Sequence, residues 1–430
     1  MNAHISRRDL LRVSALGLGS AALVGLAACA PTPRRSSAAT PSSGGTPTDF
    51  SFGSWSLSED AAKGPIQSAM KTFATQDGIT ISPVTYPYND YLNQLTLQVR
   101  GGQFAGAAQL DVAWLSALAA LGKLDDLSSY AAGRDYTSAA LGAGQYDGVQ
   151  YGLPWTIGAI GLIANKELYD KAGASLAPTT IDEFEDGLRA LKGIGVIPYA
   201  ASTKAAQLKD ILVWMQTFGS PVIEDGKTTI GDEASVKAVE WYKKLYDDGL
   251  IAPDVDRAAA RTLFAQGATA LYDDAPVGKS AVVSQSPDSG LSAKMTPMAR
   301  PVLSRGDTSQ NVLWGHLVVV VDGAGAGTAA DYAQWLTSNP EQTVSYFEAL
   351  GLPPTTTTAL ESDAVTSNTF VNEFTSRITA TAKPSPLWVY PSYGQMETAI
   401  ADQVQAVLIG QSTAAKAMGA AGAAVSRLIG

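Results

Sequence analysis

Cysteine is nearly absent from this chain, with one residue in 430, at position 29. Histidine is almost as scarce, limited to His4 and His316. Beyond residue 29 there is no thiol, so disulfides, thiolate zinc sites and cysteine nucleophiles are excluded there. A lone His316 cannot build a histidine metal cluster. It would also have to serve in any Ser-His-Asp triad, yet no serine sits in a G-x-S-x-G turn. No run of roughly 18 apolar residues follows residue 30, so no membrane span is expected there. Basic residues are the minority charge, 30 against 40 acidic, which does not suit nucleic acid or anionic lipid as a partner. A dinucleotide loop is missing too. Asp322–Gly323–Ala324–Gly325–Ala326–Gly327 has its third glycine misplaced and no acidic residue ending a strand about 20 residues on, so it reads as a plain loop between strand and helix. No cofactor and no metal are expected.

The N-terminus is a targeting segment. Ser6–Arg7–Arg8–Asp9–Leu10–Leu11–Arg12 reads as a twin-arginine export signal, followed by an apolar stretch from Val13 to Leu26–Ala27–Ala28–Cys29. Small residues before a lone cysteine resemble the lipobox of bacterial lipoproteins, which implies cleavage before Cys29 and its diacylation. Loss of residues 1–28 removes three arginines and one aspartate, leaving 27 basic and 39 acidic residues and a formal charge of −12. The stretch to Thr48 is rich in Pro, Ser, Thr and Gly and reads as a flexible tether, residues 29–48.

Beyond the tether, strand and helix patterns alternate. Asp49–Phe52, Ile79–Val84 and Leu110–Trp114 read as strands. Ser56-x-x-Glu59 reads as a capping box opening a helix with Ile66, Met70 and Phe73 inward, and Leu92, Leu95 and Val99 share a second helix face. This is an α/β lobe. Tyr146–Asp147–Gly148 is a tight turn, since Gly148 tolerates the backbone a hairpin needs. Tyr151–Gly152–Leu153–Pro154 is extended, Gly158–Ala164 is a strand buried on both faces, and Asn165 caps a helix ended by Gly173. Such a stretch joins two bodies. A second capping box, Thr180-x-x-Glu183, opens the next region, and Leu317–Val321 reads as a core strand crossing back.

The stretch YDGVQYGLPW, with NKELYDKAG after the strand, resembles the first interlobe crossing of extracellular solute-binding proteins, the sugar-binding subunits of ABC importers. WYKKLYDDGLIAPD with LFAQGATALY, and the helix pair running from Thr328 through Pro340 to Gly351–Leu352–Pro353, are similar to later family segments. The resemblance therefore covers nearly all the exported chain. It departs where the family often carries Gly-Pro-Trp and this chain reads Asp273–Asp274–Ala275–Pro276–Val277.

The resemblance implies a two-lobe, periplasmic-binding-protein-like (type II) α/β fold with three interlobe crossings. The lobes would be 49–157 with 318–356, and 158–317 with 357–430. It further implies a carbohydrate ligand taken by hinge closure, delivery to an ABC permease, a lipid-anchored monomer and no catalysis. Candidate ligand contacts are Trp55, Tyr88, Trp114 and Trp155 at strand ends and interlobe loops, joined by Trp314 and Tyr393 as further aromatic platforms. Asp273 and Asp274 are candidate acceptors of sugar hydroxyls. As a glycosidase pair they fail, because adjacent strand residues face opposite ways while acid and nucleophile must face one bond from about 5 Å or more apart. A lipid-anchored carbohydrate-active enzyme and a ligand-binding sensor lipoprotein remain alternatives. His316 is read as a satisfied polar residue near the hinge.

Overall fold

The computed structural model describes residues 46–429, so the export signal and Cys29 lie outside the described residues. The chain begins with β1 (Phe50–Gly53), α1 (Asp60–Asp77), β2 (Ile81–Val84), α2 (Tyr88–Arg100) and β3 (Gly106–Asp111). β1 pairs in parallel with both β2 and β3, as expected of strands joined by helical crossovers.

Two local expectations are corrected here. Ser56 does not cap α1. Residues Trp55–Ser58 form a 3-10 turn, α1 starts after Glu59, and Ser56 is buried with its Oγ turned to Gln109. The third strand stops at Asp111, because Asp111 accepts from the Ala113 N–H and turns Val112–Trp114 into a second 3-10 turn.

Next come the hairpin strands β4 (Gln145–Tyr146) and β5 (Val149–Gln150), which turn through Asp147 and Gly148 at φ of 50° and 77°. The following extended segment is one continuous strand, β6 (Gly152–Asn165), with almost every residue buried. Asn165 then caps α3 (Lys166–Ala172) by accepting from the Glu167 and Leu168 N–H groups, and Gly173 ends it at φ 66°. The Thr180–Glu183 capping box opens α4 (Ile181–Gly193) with both reciprocal bonds present. Further on are α5 (Ile211–Thr217), α6 (Glu233–Asp247), α7 (Arg257–Ala265), β7 (Leu271–Asp274) and β8 (Met295–Met298). The chain returns through β9 (Asn311–Val321), α8 (Ala326–Ser338) and α9 (Pro340–Leu350), and ends with α10 (Thr369–Arg377), β10 (Ala382–Lys383), α11 (Tyr393–Leu408) and α12 (Ala414–Ile429).

The eight strands from β1–β3 and β6–β10 form one sheet, in the order β8-β6-β9-β3-β1-β2, with β7 also on β6 and β10 also on β9. β6 and β9 are its spine. Gly152–Ile160 runs antiparallel to β9, while Gly161–Asn165 pairs with β7 and β8. β9 is likewise shared, with Val312 beside β10 and Leu317–Val321 beside β3. Its side chains alternate between cores. Val318 and Val320 join Phe52, Ile66, Phe73 and Tyr332 on one face, and Leu317, Val319 and Val321 join Leu95, Leu110 and Leu118 on the other. At the far end of β6, Ala159 and Ile163 pack with Phe264, Tyr272, Phe347 and Phe374 in a third core. After α9 the chain runs along the middle of β6, where Pro353 O accepts from Ile157 N and Thr355 Oγ1 donates to Pro154 O.

Candidate functional site

The strand ends around the β6–β9 spine gather aromatic rings. Trp55 leaves β1 in its 3-10 turn, and Trp114 leaves β3 in the other. Tyr88 is the first residue of α2, while Trp155 lies on β6 and Trp314 and His316 on β9. Trp55 meets Tyr88, Trp114 and His316 edge to face, with centroids 5.5, 5.2 and 5.0 Å away. Tyr88 and Trp114 lie 5.0 Å apart, and Trp314 is 4.8 Å from His316. Edge-to-face contacts at these distances suit aromatic quadrupoles. Four of the rings expected from sequence, Trp55, Tyr88, Trp114 and Trp314, therefore stand in one cluster with His316. Tyr88 and Trp314 keep part of their surface exposed. Trp155 is 1% exposed and stacked on Tyr346, further into the core.

Asp111 ends β3 at the centre of this cluster. Its Oδ1 accepts from Ala113 N at 2.9 Å. Its Oδ2 accepts from the Tyr88 hydroxyl at 2.8 Å and from Trp314 Nε1 at 3.0 Å. Burial pushes this carboxyl up from its ordinary range, and the Ala113 N–H, Lys209 and the two aromatic donors pull against that rise. Tyr393 is the buried first residue of α11. Burial holds its hydroxyl far above the usual phenol range, with further upward pushes from Glu397 and Asp111.

Gln109 places His316. Ser54 Oγ donates to Gln109 Oε1 at 2.5 Å, so the amide nitrogen faces Ser56 Oγ at 3.1 Å and His316 Nδ1 at 3.0 Å. Nδ1 must then accept, which puts the ring proton on Nε2. Burial lowers the His316 pKa to about 3, so the ring is neutral. It is an uncharged residue of β9 held by Gln109 at Nδ1, but its buried Nε2 finds no hydrogen-bond partner among the described residues, so the expectation of a fully satisfied histidine is corrected.

Asp273 and Asp274 differ from the expectation. Asp273 Oδ1 accepts from Arg300 Nη2 at 2.6 Å, and its Oδ2 accepts from the Tyr199 hydroxyl. Asp274 takes a bidentate pair from Arg261, at 2.7 and 2.9 Å, plus the Ala275 N–H at 2.9 Å. A buried carboxylate must be paired to be tolerated, and these two are spent on arginines and a tyrosine instead of presented to solvent. The residues that sequence reasoning missed are Asp111, Lys209, Asp210 and Arg257. Arg257 Nη2 meets Asp210 Oδ2 at 2.7 Å, and Lys209 Nζ stands 3.5 Å from Glu397. An aspartate at a strand end before a short turn was the available signal for Asp111. The two cations carry none in sequence, because folding alone brings them to the aromatic cluster.

Flat apolar rings with a buried acceptor among them can hold a ligand that has both C–H faces and hydroxyls. Among the described residues no group of three or more His, Cys, Asp or Glu could hold a metal ion.

The family model for bacterial extracellular solute-binding proteins matches residues 68–372, well over half the chain. The chain belongs to this family. Curated relatives of this solute-binding protein occur in Brucella abortus and Brucella suis, each named as a candidate binding protein. They are 26% identical over 264 residues, covering 58% of this chain and 64% of theirs. Among solved structures, the GacH receptor of Streptomyces glaucescens, determined unliganded and with acarbose, has a TM-score of 0.80. It is 21% identical and covers 89% of this chain and 98% of its own. Maltose-bound MalE3 of T. maritima has a TM-score of 0.77 at 19% identity, covering 89% of this chain and all of its own. An ABC transporter solute-binding protein of Thermotoga lettingae, bound with tagatose, has a TM-score of 0.77 at 20% identity, covering 89% and 99%. These likenesses establish the two-lobe periplasmic-binding fold for the solute-binding protein described here.

Proposed function

We infer that this protein is the extracellular receptor of an ABC importer, capturing a mono- or oligosaccharide between its lobes and handing it to a membrane permease. The observation that carries the reading is the convergence of Trp55, Tyr88, Trp114 and Trp314 around the buried Asp111 carboxylate. Rings supply platforms for sugar C–H faces. The nearby cations are each matched by a carboxylate, Arg257 by Asp210 and Lys209 by Glu397, which favours a neutral ligand. Acarbose, maltose and tagatose in the similar proteins point the same way.

In this reading the lobes are 49–157 with 318–356 and 158–317 with 357–430, and binding energy shifts an open–closed equilibrium instead of driving chemistry. Trp55, Tyr88, Trp114, Trp314 and Tyr393 line the ligand site. Trp155 sits behind them, and Asp273 and Asp274 brace the arginines. The twin-arginine signal exports the chain, Cys29 anchors it through lipid, and it works as a monomer.

A thermal-shift screen of the purified protein against mono- and oligosaccharides, amino acids and polyamines tests this. A ligand specific to the native state raises the melting temperature by mass action. The expected result is a shift with one sugar, recovery of that sugar unchanged, and loss of the shift in Tyr88→Ala. A shift only with another solute class would overturn the carbohydrate assignment, and a cleaved sugar would overturn the receptor reading in favour of an enzyme.

A further inference from the structure

Tyr88 and Trp314 are the two rings of the cluster that retain exposed surface, and they arrive from different elements, α2 and β9. Each is free to turn about its side-chain bonds unless its polar tip is held. Both tips are held by the same atom. Asp111 Oδ2 accepts from Tyr88 at 2.8 Å and Trp314 at 3.0 Å, while Oδ1 is fixed by the backbone N–H of Ala113. The carboxylate itself is rigid, because β3 is buried along its whole length and Asp111 caps the turn that follows. We propose that Asp111 is a positioning residue that pre-sets the Tyr88 and Trp314 rings as a ligand platform. This rests on the carbohydrate-site reading above, and it adds a residue that determines affinity through its neighbours.

A neutral amide cannot replace it. In Asp111→Asn, the one oxygen is claimed by the Ala113 N–H, which turns the NH2 group toward the two ring tips. The Tyr88 hydroxyl can turn to accept from it, but the Trp314 indole N–H only donates, so that ring loses its partner and samples other rotamers. Ordering it again on binding weakens affinity without removing a ligand contact.

Two readouts test this, one of which needs no ligand. The protein has 8 tryptophans, and the 15N-indole resonance of Trp314 is identified by its loss in Trp314→Phe. In Asp111→Asn that resonance should move upfield and broaden. In Tyr88→Phe, which removes the competing donor, it should move downfield. Maltose, acarbose and tagatose serve as ligand probes in isothermal titration. For whichever binds the wild type, Asp111→Asn should raise Kd about 10- to 100-fold, the loss expected for charge-assisted hydrogen bonds. Tyr88→Phe combined with Asp111→Asn should be no weaker than Asp111→Asn alone.

An unmoved Trp314 resonance in both variants overturns the proposal whether or not any sugar binds. A lowered melting temperature with unchanged Kd also overturns it, because Asp111 would then be only structural. If none of these three sugars binds while the resonance moves as stated, the positioning role stands and the wider thermal-shift screen decides the carbohydrate reading.

Discussion

Trp155 lies nearly parallel to Tyr346, with ring centroids 4.2 Å apart and planes 19° from parallel. One ring belongs to the crossing strand β6 and the other to α9, so the contact ties the spine of the sheet to the helix that packs over it. Trp155 is therefore built into the core, and its truncation is expected to cost stability first. Trp155→Ala should cost about 3–5 kcal/mol in urea unfolding, the range for emptying a large aromatic site in a core. Tyr88→Ala, at a half-buried position, should cost much less while abolishing the ligand response. Equal stability of Trp155→Ala and the wild type would contradict this division of roles.

Neutral His316 makes stability depend on pH. Its folded pKa, lowered to about 3 by burial, lies below the ordinary value of 6.5, so the native state binds the proton less readily than the unfolded chain. The stabilisation is complete above about pH 6.5 and is lost as pH falls toward 3. The slope is about 1.4 kcal/mol per pH unit across that window. His316→Gln cannot titrate. Subtracting its unfolding free energies from those of the wild type, from pH 7 to pH 4, should give this slope. A difference that stays flat with pH would rule out a buried, neutral histidine.

Arg261 and Asp274 form a bidentate pair in which the carboxylate is 1% exposed. Asp274 is also the largest cause of the raised Arg261 pKa. Arg261→Met strands a buried charge and should cost about 3 kcal/mol, as for other broken buried pairs. Adding Asp274→Asn should recover part of the loss, which a double-mutant cycle would measure. The ligand response should survive in both, because neither group is placed in the ligand site. Its disappearance in the double variant, with the fold intact, would return Asp274 to the site.

Much of this was legible in the chain. Asn165, Gly173, Thr180 and Glu183 act locally, through caps and turns that a few neighbouring residues decide, and they stand where the pattern placed them. The apolar run at Gly158–Ala164 declared a strand buried on both faces, and that at Leu317–Val321 a core strand. Ser56 misled because a capping box needs the hydroxyl free to turn back on the helix, and long-range packing against Gln109 claimed it first. The fate of Asp273 and Asp274 was hidden for the same reason. Their arginine partners sit 27 and 13 residues away, and no local pattern announces such pairs. Trp55, Tyr88 and Trp114 stand where strand-end reasoning put them, whereas Trp155 and Trp314 lie inside β6 and β9, and Lys209 and Arg257 come near the cluster only through packing of segments far along the chain.

One consequence of the β6–β9 spine concerns the kind of motion it permits. The two strands pass side by side, hydrogen-bonded from Gly152–Val319 to Ile160–Val312, with a register shift between His316 and Leu317. A bonded ribbon of this sort resists splaying and in-plane shear, since either would break its ladder, and it yields most easily by flexing about a line across the strands. In the proposed reading, closure would therefore run as a bend across this ribbon and not as a slide along it.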